Sequence, residues 1–466
     1  MLPGSSASPA TPKRVPRIDA HPGRRHIAPM PSTSWGYRAA IRLGAALAPA
    51  LGLVDRKLGD GHRQRLGAAT RLAAWAAGAR DRARPLAWFH AASVGEGLQA
   101  ESVLLELRRL VPGCQLVYTH FSPSAEPLAR RLPVDAADYL PYDLPPAADR
   151  LLDALAPDLL VFSKLDLWPE LATRAAARGA VALVAATVSP GSGRLRWPAR
   201  SLLHAGYAAV SAAGAVAEPD AARLARLGVA PDRIRVLGDP RFDSVAARVA
   251  AVPHDEPLLR FGSGAPTLVA GSTWARDEEV LLEAFARVRA RYAQARLIVV
   301  PHEPTGAHLA DLDRRASRAG LPLPVRLSAA PGPSPLMVVD RVGLLATLYG
   351  AGTMAYVGGG FGRAGLHSVL EPAAWGVPVA FGPRWADSRD AALLLEAGAG
   401  EALGGAGGSG RAGAELAVRW ERWMGDEARR VAQGGRARAI VTDGLGAARR
   451  SAELLASLIS SRPPRR

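Results

Sequence analysis

Leu86-Ala87-Trp88-Phe89-His90-Ala91-Ala92-Ser93-Val94-Gly95-Glu96-Gly97 is the stretch on which the fold turns. Leu86–Phe89 is a short, wholly apolar run of the kind a strand buried on both faces requires. The residues after Gly97 have helical period, so His90–Gly97 occupies a strand-to-helix turn. Open α/β sheets place ligands at such turns, beyond the carboxyl ends of their strands, and Glu96 can therefore face a cleft. Ser93 and Glu96 also have the S-x-x-E spacing of a capping box, in which each side chain satisfies a free N–H near the other. Local sequence leaves both roles open.

The same alternation extends in both directions. Gln115–Thr119, Leu159–Phe162, Val181–Ala186 and Ala208–Ser211 alternate with Ala/Leu/Arg stretches up to about Leu237. The pattern restarts at Thr267–Ala270, Arg296–Val300, Leu336–Val339, Met354–Val357 and Val377–Phe381. Such alternation predicts βαβ units and parallel sheets, here two of them separated by the Pro- and Asp-containing stretch 238–266. The expectation is an α/β protein of two Rossmann-like lobes, 57–240 and 241–440, with parallel sheets facing an interdomain cleft. The Gly-rich stretch Gly400–Gly413 reads as a loop before a late helix, Ala414–Ala432, and 441–466 as a C-terminal helix and basic tail.

Composition agrees with two lobes, since 466 residues exceed one compact core. The single cysteine, Cys114, excludes an internal disulfide and a multi-cysteine metal site, which favours a reducing compartment. Of the net charge of +16, residues 1–85 supply +11, from fifteen Lys/Arg against Asp19, Asp55, Asp60 and Asp81. No zinc-finger spacing or aromatic platform accompanies this charge, so no nucleic-acid partner is expected. A basic block beside an apolar segment points to an anionic membrane surface or an acidic lipid. Residues 1–34 read as a disordered tail. Within Trp35–Val54 only the twelve residues Leu43–Val54 are free of charge, short of the roughly 20 that span a bilayer. Residues 35–56 are therefore expected to lie along the membrane interface, the alternative being a buried first helix of the lobe.

A second constellation runs Gly358-Gly359-Gly360-Phe361-Gly362-Arg363-Ala364-Gly365, then Leu366-His367-Ser368-Val369-Leu370-Glu371-Pro372. Glycines after a strand let backbone approach a ligand, and a helix start offers N–H groups to phosphate, which implies a phosphate-bearing donor. Gly360, Gly362 and Gly365 also fit the dinucleotide spacing, but no ribose-binding acid ends the next strand. Ser368 and Glu371 permit a second capping box. Lys164-Leu165-Asp166 follows Leu159–Phe162, where it can face the cleft or form a surface ion pair. His302, after Arg296–Val300, can reach a phosphate or cap its turn. Asp311-Leu312-Asp313 looks like a metal-binding D-x-D, but its helical surroundings predict a solvated face. Neither a phosphate-binding G-x4-G-K-[ST] nor a hydrolase G-x-S-x-G is present.

His90–Glu96 resembles a motif of the family that transfers 3-deoxy-D-manno-octulosonic acid (Kdo), an eight-carbon acid sugar, among glycosyltransferases of the GT-B fold. So do Asp143-Leu144-Pro145, Leu167-Trp168-Pro169, Gly238-Asp239-Pro240-Arg241-Phe242-Asp243, Gly271-Ser272-Thr273, Tyr349, Gly358-Gly359, His367, Leu370-Glu371-Pro372 and Gly382-Pro383. The resemblance runs from about Trp35 to Ile440. It implies transfer of Kdo from CMP-Kdo to a lipid A precursor at the cytoplasmic face of the inner membrane, with inversion and with neither cofactor nor metal. By that similarity Glu96 is the general base, and Asp166 or Lys164, with Arg241, meets charge developing in the transition state. CMP contacts fall on Pro301, His302, Val342, Gly343, Leu344, Ser368, Val369, Leu370 and Glu371. The chain departs from the family at Pro301-His302-Glu303, commonly Pro-Arg-His, at His367-Ser368, commonly His-Asn, and at Lys164-Leu165-Asp166, commonly Glu-x-Glu. The alternatives are a GT-B transferase or epimerase that uses a UDP-sugar, and a catalytically silent scaffold that binds the lipid A precursor.

Overall fold

Fourteen short strands assemble into two parallel sheets in the computed structural model, which describes residues 33–329, 332–362, 365–404 and 408–461. The first holds β1 (Leu86–His90), β2 (Gln115–His120), β3 (Ala136–Tyr139), β4 (Leu159–Ser163), β5 (Ala180–Ala186), β6 (Ala212–Ala215) and β7 (Ile234–Val236), in the order β3-β2-β1-β4-β5-β6-β7. The second holds β8 (Thr267–Thr273), β9 (Arg296–Pro301), β10 (Val325–Arg326), β11 (Leu336–Val338), β12 (Met354–Val357), β13 (Val379–Phe381) and β14 (Gly400–Ala402), in the order β10-β11-β9-β8-β12-β13-β14. Trp88 stands opposite Val117 on one side and Leu160 on the other, so β1 lies in the interior of its sheet, and every residue of β1, β2 and β4 is buried. Helices on both faces explain why these strands are apolar without alternation.

Four expectations are corrected. Ala208–Ser211 is not a strand: Ala208 ends the helix Ala199–Ala208, and β6 begins at Ala212. Alanine-rich sequence carries no β-branched signal to place that boundary. Gly400–Gly413 is not all loop, because β14 opens it and a helix, Gly408–Gly425, starts inside it. The late helix is two helices, broken at Asp426, whose side chain accepts the Arg429 N–H and so caps Glu427–Asp443. The stretch 238–266 is more than a separator, since it contains the helix Pro240–Ala250.

Among the described residues, two helices precede β1. Trp35–Val54 and Arg56–Ala79 form a hairpin in which a Cβ on Gly52 would lie 2.6 Å from Gly59 Cα, so the backbones meet where neither residue has a side chain. The expectation of disorder for 1–34 lies outside the described residues except at Thr33 and Ser34, which are placed: Thr33 bonds Glu170, and Ser34 caps the first helix at the Tyr37 N–H. The Tyr37 hydroxyl donates to Asp143 (2.7 Å) and Arg38 pairs with Glu170 (2.8 Å). Asp143 also accepts the N–H groups of Glu170 and Leu171, so this family-motif aspartate caps the helix Pro169–Ala176 and anchors the hairpin at once. Burial lifts its pKa to about 6, against the pull of those bonds. Tyr37 is the only buried residue of the first helix, which overturns the alternative of a buried helix. Leu43, Leu47 and Leu51, four residues apart along one face, are 61%, 49% and 53% exposed.

The helix Ala447–Ser460 returns to the first sheet and packs Ala448, Ala452 and Leu455 into one core with Phe89, Val103, Leu116 and Val161. Asp243, at the outward crossing between the lobes, accepts the N–H groups of Gly446 (2.7 Å) and Ala448 (2.9 Å) at the return crossing.

Candidate active site

Each sheet has a point where successive strands depart in opposite directions, between β1 and β4 in the first and between β8 and β12 in the second. Crevices beyond the strand ends at such points are the natural ligand sites of doubly wound folds. The two C-terminal edges approach one another. Asp220, after β6, pairs with Arg389, after β13, at 3.1 Å, and Arg241, after β7, binds Asp390 at 2.7 Å.

In the first lobe the switch point brings together Glu96, Lys164 and Asp166. The Ser163 hydroxyl donates to the Glu96 carbonyl (3.0 Å), which ties the turn after β1 to the turn after β4. The capping box is present: the Ser93 N–H and hydroxyl both donate to Glu96 Oε2 (3.1 and 3.0 Å), and the Glu96 N–H donates to Ser93 Oγ at 3.4 Å. Those bonds leave Oε1 outside the cap, so capping and proton transfer do not compete for the same oxygen. Lys164 has a left-handed backbone (φ 60°) and an exposed side chain with no ion-pair partner among the described residues, so the surface ion pair is not formed. Asp166 faces His90 instead, at 3.5 Å. Burial raises the Asp166 pKa, but His90, Trp168 and Arg194 outweigh it and hold the carboxyl below its ordinary range.

In the second lobe Pro301 ends β9 and His302 follows it, Val342, Gly343 and Leu344 follow β11, and Ser368, Val369, Leu370 and Glu371 lie beyond β12, all on one edge. Trp274, directly after β8, joins these loops. Its ring stacks on His302 at 4.8 Å, His302 stacks on His367 at 4.4 Å, and Trp274 Nε1 donates to His367 Nε2 at 3.1 Å. An indole nitrogen only donates, so that imidazole nitrogen carries no proton. Burial and the neighbouring His302 push His367 down to about 4, in accord with a neutral ring. Asp277 fixes the platform from behind, accepting the N–H groups of Trp274 (3.0 Å) and Gly359 (2.9 Å) and the Tyr356 hydroxyl (2.7 Å).

Other sequence candidates resolve into structure. A Cβ on Gly358 would lie 2.3 Å from the Ser272 carbonyl oxygen, on Gly359 2.1 Å from that of Gly365, and on Gly360 2.8 Å from Gly382 Cα. Close backbone packing, not only a ligand, therefore requires these three glycines. Glu371 does not join a capping box with Ser368; it pairs with Arg248 at 3.0 Å, and burial raises its pKa against that arginine. Asp311 pairs with Arg314 and Arg315, and Asp313 with Arg326, as the solvated helix face predicts. Arg241 is held by Asp239 and Asp390 together, between the two lobes. A cavity of about 500 Å³ lies at the far end of the helix Leu370–Trp375, beside Trp375 and Arg438, so concavity alone does not mark the site.

Against known proteins, a family model described as 3-deoxy-D-manno-octulosonic-acid transferase (kdotransferase) matches residues 61–244. A Bordetella pertussis 3-deoxy-D-manno-octulosonic acid transferase is 31% identical over 81% of this chain and 89% of that protein. The chain belongs to the Kdo transferase family. It is a glycosyltransferase by that membership. The Haemophilus influenzae member is 26% identical over 63% of this chain and 70% of its own. Among solved structures, a glycosyltransferase from Rickettsia africae superposes with a TM-score of 0.56 at 12% identity, covering 81% of this chain and all (100%) of that one. A putative UDP-N-acetylglucosamine 2-epimerase from Listeria monocytogenes gives 0.56 at 12%, over 81% and 96%. At such identities they show a shared GT-B-like fold alone. Within this family member, Trp274 and the buried partners His90 and Asp277 escaped sequence reading. For Trp274 a signal existed, its place directly after the motif Gly271-Ser272-Thr273.

Proposed function

We propose that the protein transfers Kdo from CMP-Kdo to a sugar hydroxyl of a lipid A precursor in one inverting displacement. The observation that carries this reading is the opposite chemistry of the two switch points: carboxylates in one lobe, a nucleobase-sized aromatic and imidazole platform in the other. Glu96 takes the proton of the attacking hydroxyl as its oxygen bonds the anomeric carbon and the bond to the CMP phosphate breaks. Trp274 and His302 offer stacking faces to cytosine, and His302 with the backbone of 365–371 receives the phosphate, where the family commonly has an arginine. Lys164 and Asp166 sit beside the reacting hydroxyl, their opposite charges matching a leaving anion and a cationic sugar. Charge neutralisation by these groups needs no divalent ion.

The test is the purified full chain with CMP-Kdo and a lipid A precursor, product mass followed with and without EDTA. The expected result is addition of Kdo units at a rate EDTA leaves unchanged. Transfer from a UDP-sugar, or its epimerisation, in place of reaction with CMP-Kdo would support the UDP-sugar alternative, and lipid binding without transfer would support the silent scaffold.

The acceptor is a lipid, and the leucine face of the first helix is where we place the membrane, along the interface on its cytoplasmic side. The full chain is expected to sediment with phosphatidylglycerol vesicles. Replacing Leu43, Leu47 and Leu51 by Asp should weaken that binding more than ten-fold, because burying one leucine contributes roughly 1.5–3 kcal/mol. Equal sedimentation of the triple variant would show that the face is not the contact.

A further inference from the structure

His90 ends β1 with no solvent exposure, so it cannot touch a substrate, yet its ring has polar neighbours at both nitrogens. Nδ1 lies 3.1 Å from Thr119 Oγ1, and that oxygen also accepts from Trp88 Nε1 at 2.9 Å. Nε2 lies 3.5 Å from Asp166 Oδ2, and both of those atoms are buried with no hydrogen bond among the described residues. Two orphaned polar atoms facing one another are costly unless they serve each other, and such pairs tighten when a site fills. A neutral imidazole satisfies both neighbours in one tautomer, with Nε2–H toward the acceptor-only carboxylate and Nδ1 accepting from the Thr119 hydroxyl, whose other acceptor, the Phe89 carbonyl, is farther off at 3.4 Å. Trp168 meets the same ring edge-on at 5.8 Å and Phe162 at 6.1 Å, which fixes its plane.

We propose that His90 is a positioning residue for the transfer reaction, its tautomer set by Thr119 and Trp88, and that it orients the Asp166 carboxylate at the mouth of the first lobe. The assignment rests on the reading of the site given under Proposed function. Charged and titratable groups facing the pair are His120 on β2, Arg194, and the hydroxyls of Tyr37 and Tyr207; Lys164 is on the solvent side. Of these, Arg194 and His90 favour ionised Asp166. Removing the His90 N–H therefore raises the Asp166 pKa, and activity that needs the carboxylate falls away at higher pH than in the wild type.

The experiment compares full-length His90→Phe, which keeps a ring but no N–H, with His90→Gln, which keeps a donor. Supporting partners behind a functional group commonly contribute roughly 10–100-fold. His90→Phe should lose that much kcat with donor KM nearly unchanged, because the donor contacts are in the other lobe. Its acid limb and the carboxyl 13C titration of Asp166 should move to higher pH, and His90→Gln should recover most of both. Unchanged Asp166 titration in folded His90→Phe overturns the assignment, as does equal loss in the two variants without a pH shift. If neither variant folds, Thr119→Val decides: it should move the Asp166 titration in the same direction, and an unmoved titration rejects the relay. Should the wild type transfer no Kdo, the functional reading fails while the Asp166 titration still decides the role of His90.

Discussion

Glu96→Gln is expected to lower kcat by roughly 10²–10⁴ with the fold and the thermal midpoint nearly unchanged, because a general base is lost while a cap is kept. The two roles separate cleanly on this residue. Both cap donors, the Ser93 N–H and hydroxyl, fall on Oε2, and a glutamine carbonyl oxygen can accept both. Were capping the whole role, even complete loss of the side chain would cost about 1 kcal/mol of stability and little rate. Measurement of kcat at saturating substrates beside a thermal melt distinguishes them. Near-wild-type turnover in the glutamine variant would move the base elsewhere, and Asp166 would be tested next.

Arg241→Ala is expected to act in the opposite manner, with a large loss of stability and a modest change of chemistry in whatever remains folded. The guanidinium gives Nε and Nη2 to Asp239 and Nη1 and Nη2 to Asp390. Those carboxylates are only 4% and 5% exposed, so removing the arginine strands two buried anions. Breaking a buried pair costs roughly 3–5 kcal/mol, and the third of this guanidinium that remains wet places the expectation near about 3 kcal/mol. Neutralising both partners with Asp239→Asn and Asp390→Asn should return much of the stability to Arg241→Ala. A folded Arg241→Ala protein with an unmoved melting temperature and a thousand-fold lower kcat would instead place the arginine at the reacting phosphate.

The strands legible in the sequence were those buried on both faces. Five were missed: β3, β7, β10 and β14 are the edges of the two sheets, and β6, buried but made of Ala and Gly alone, was placed four residues early on the end of a helix. Edge strands are short and half wet, so Ala136–Tyr139 and Val325–Arg326 show neither a continuous apolar run nor a clean alternation. In the site, Glu96, Asp166 and His302 were legible because each follows a central strand within a few residues. The contacts of Trp274 with His302 and His367, or of His90 with Thr119 and Asp166, join loops far apart in sequence, and no local spacing encodes them. The same limit hid the setting of Arg241, since its two acidic partners include one 149 positions away. Ser93/Glu96 and Ser368/Glu371 share one spacing and differ in outcome because Arg248, on another helix, claims the second glutamate.

The return of Ala447–Ser460 onto the first sheet has a consequence for the order in which the molecule is made. The first lobe leaves the ribosome before the second, but its core lacks Ala448, Ala452 and Leu455 until the second lobe has emerged as well. A nascent chain can complete the second lobe while a face of the first, including Phe89 and Leu116, still awaits its cover. The lobe with Glu96 is begun first and finished last, so the usual sequence of N-terminal domain before C-terminal domain is reversed at its final step. Termination of synthesis before Ala448 would leave that lobe with apolar surface open to aggregation.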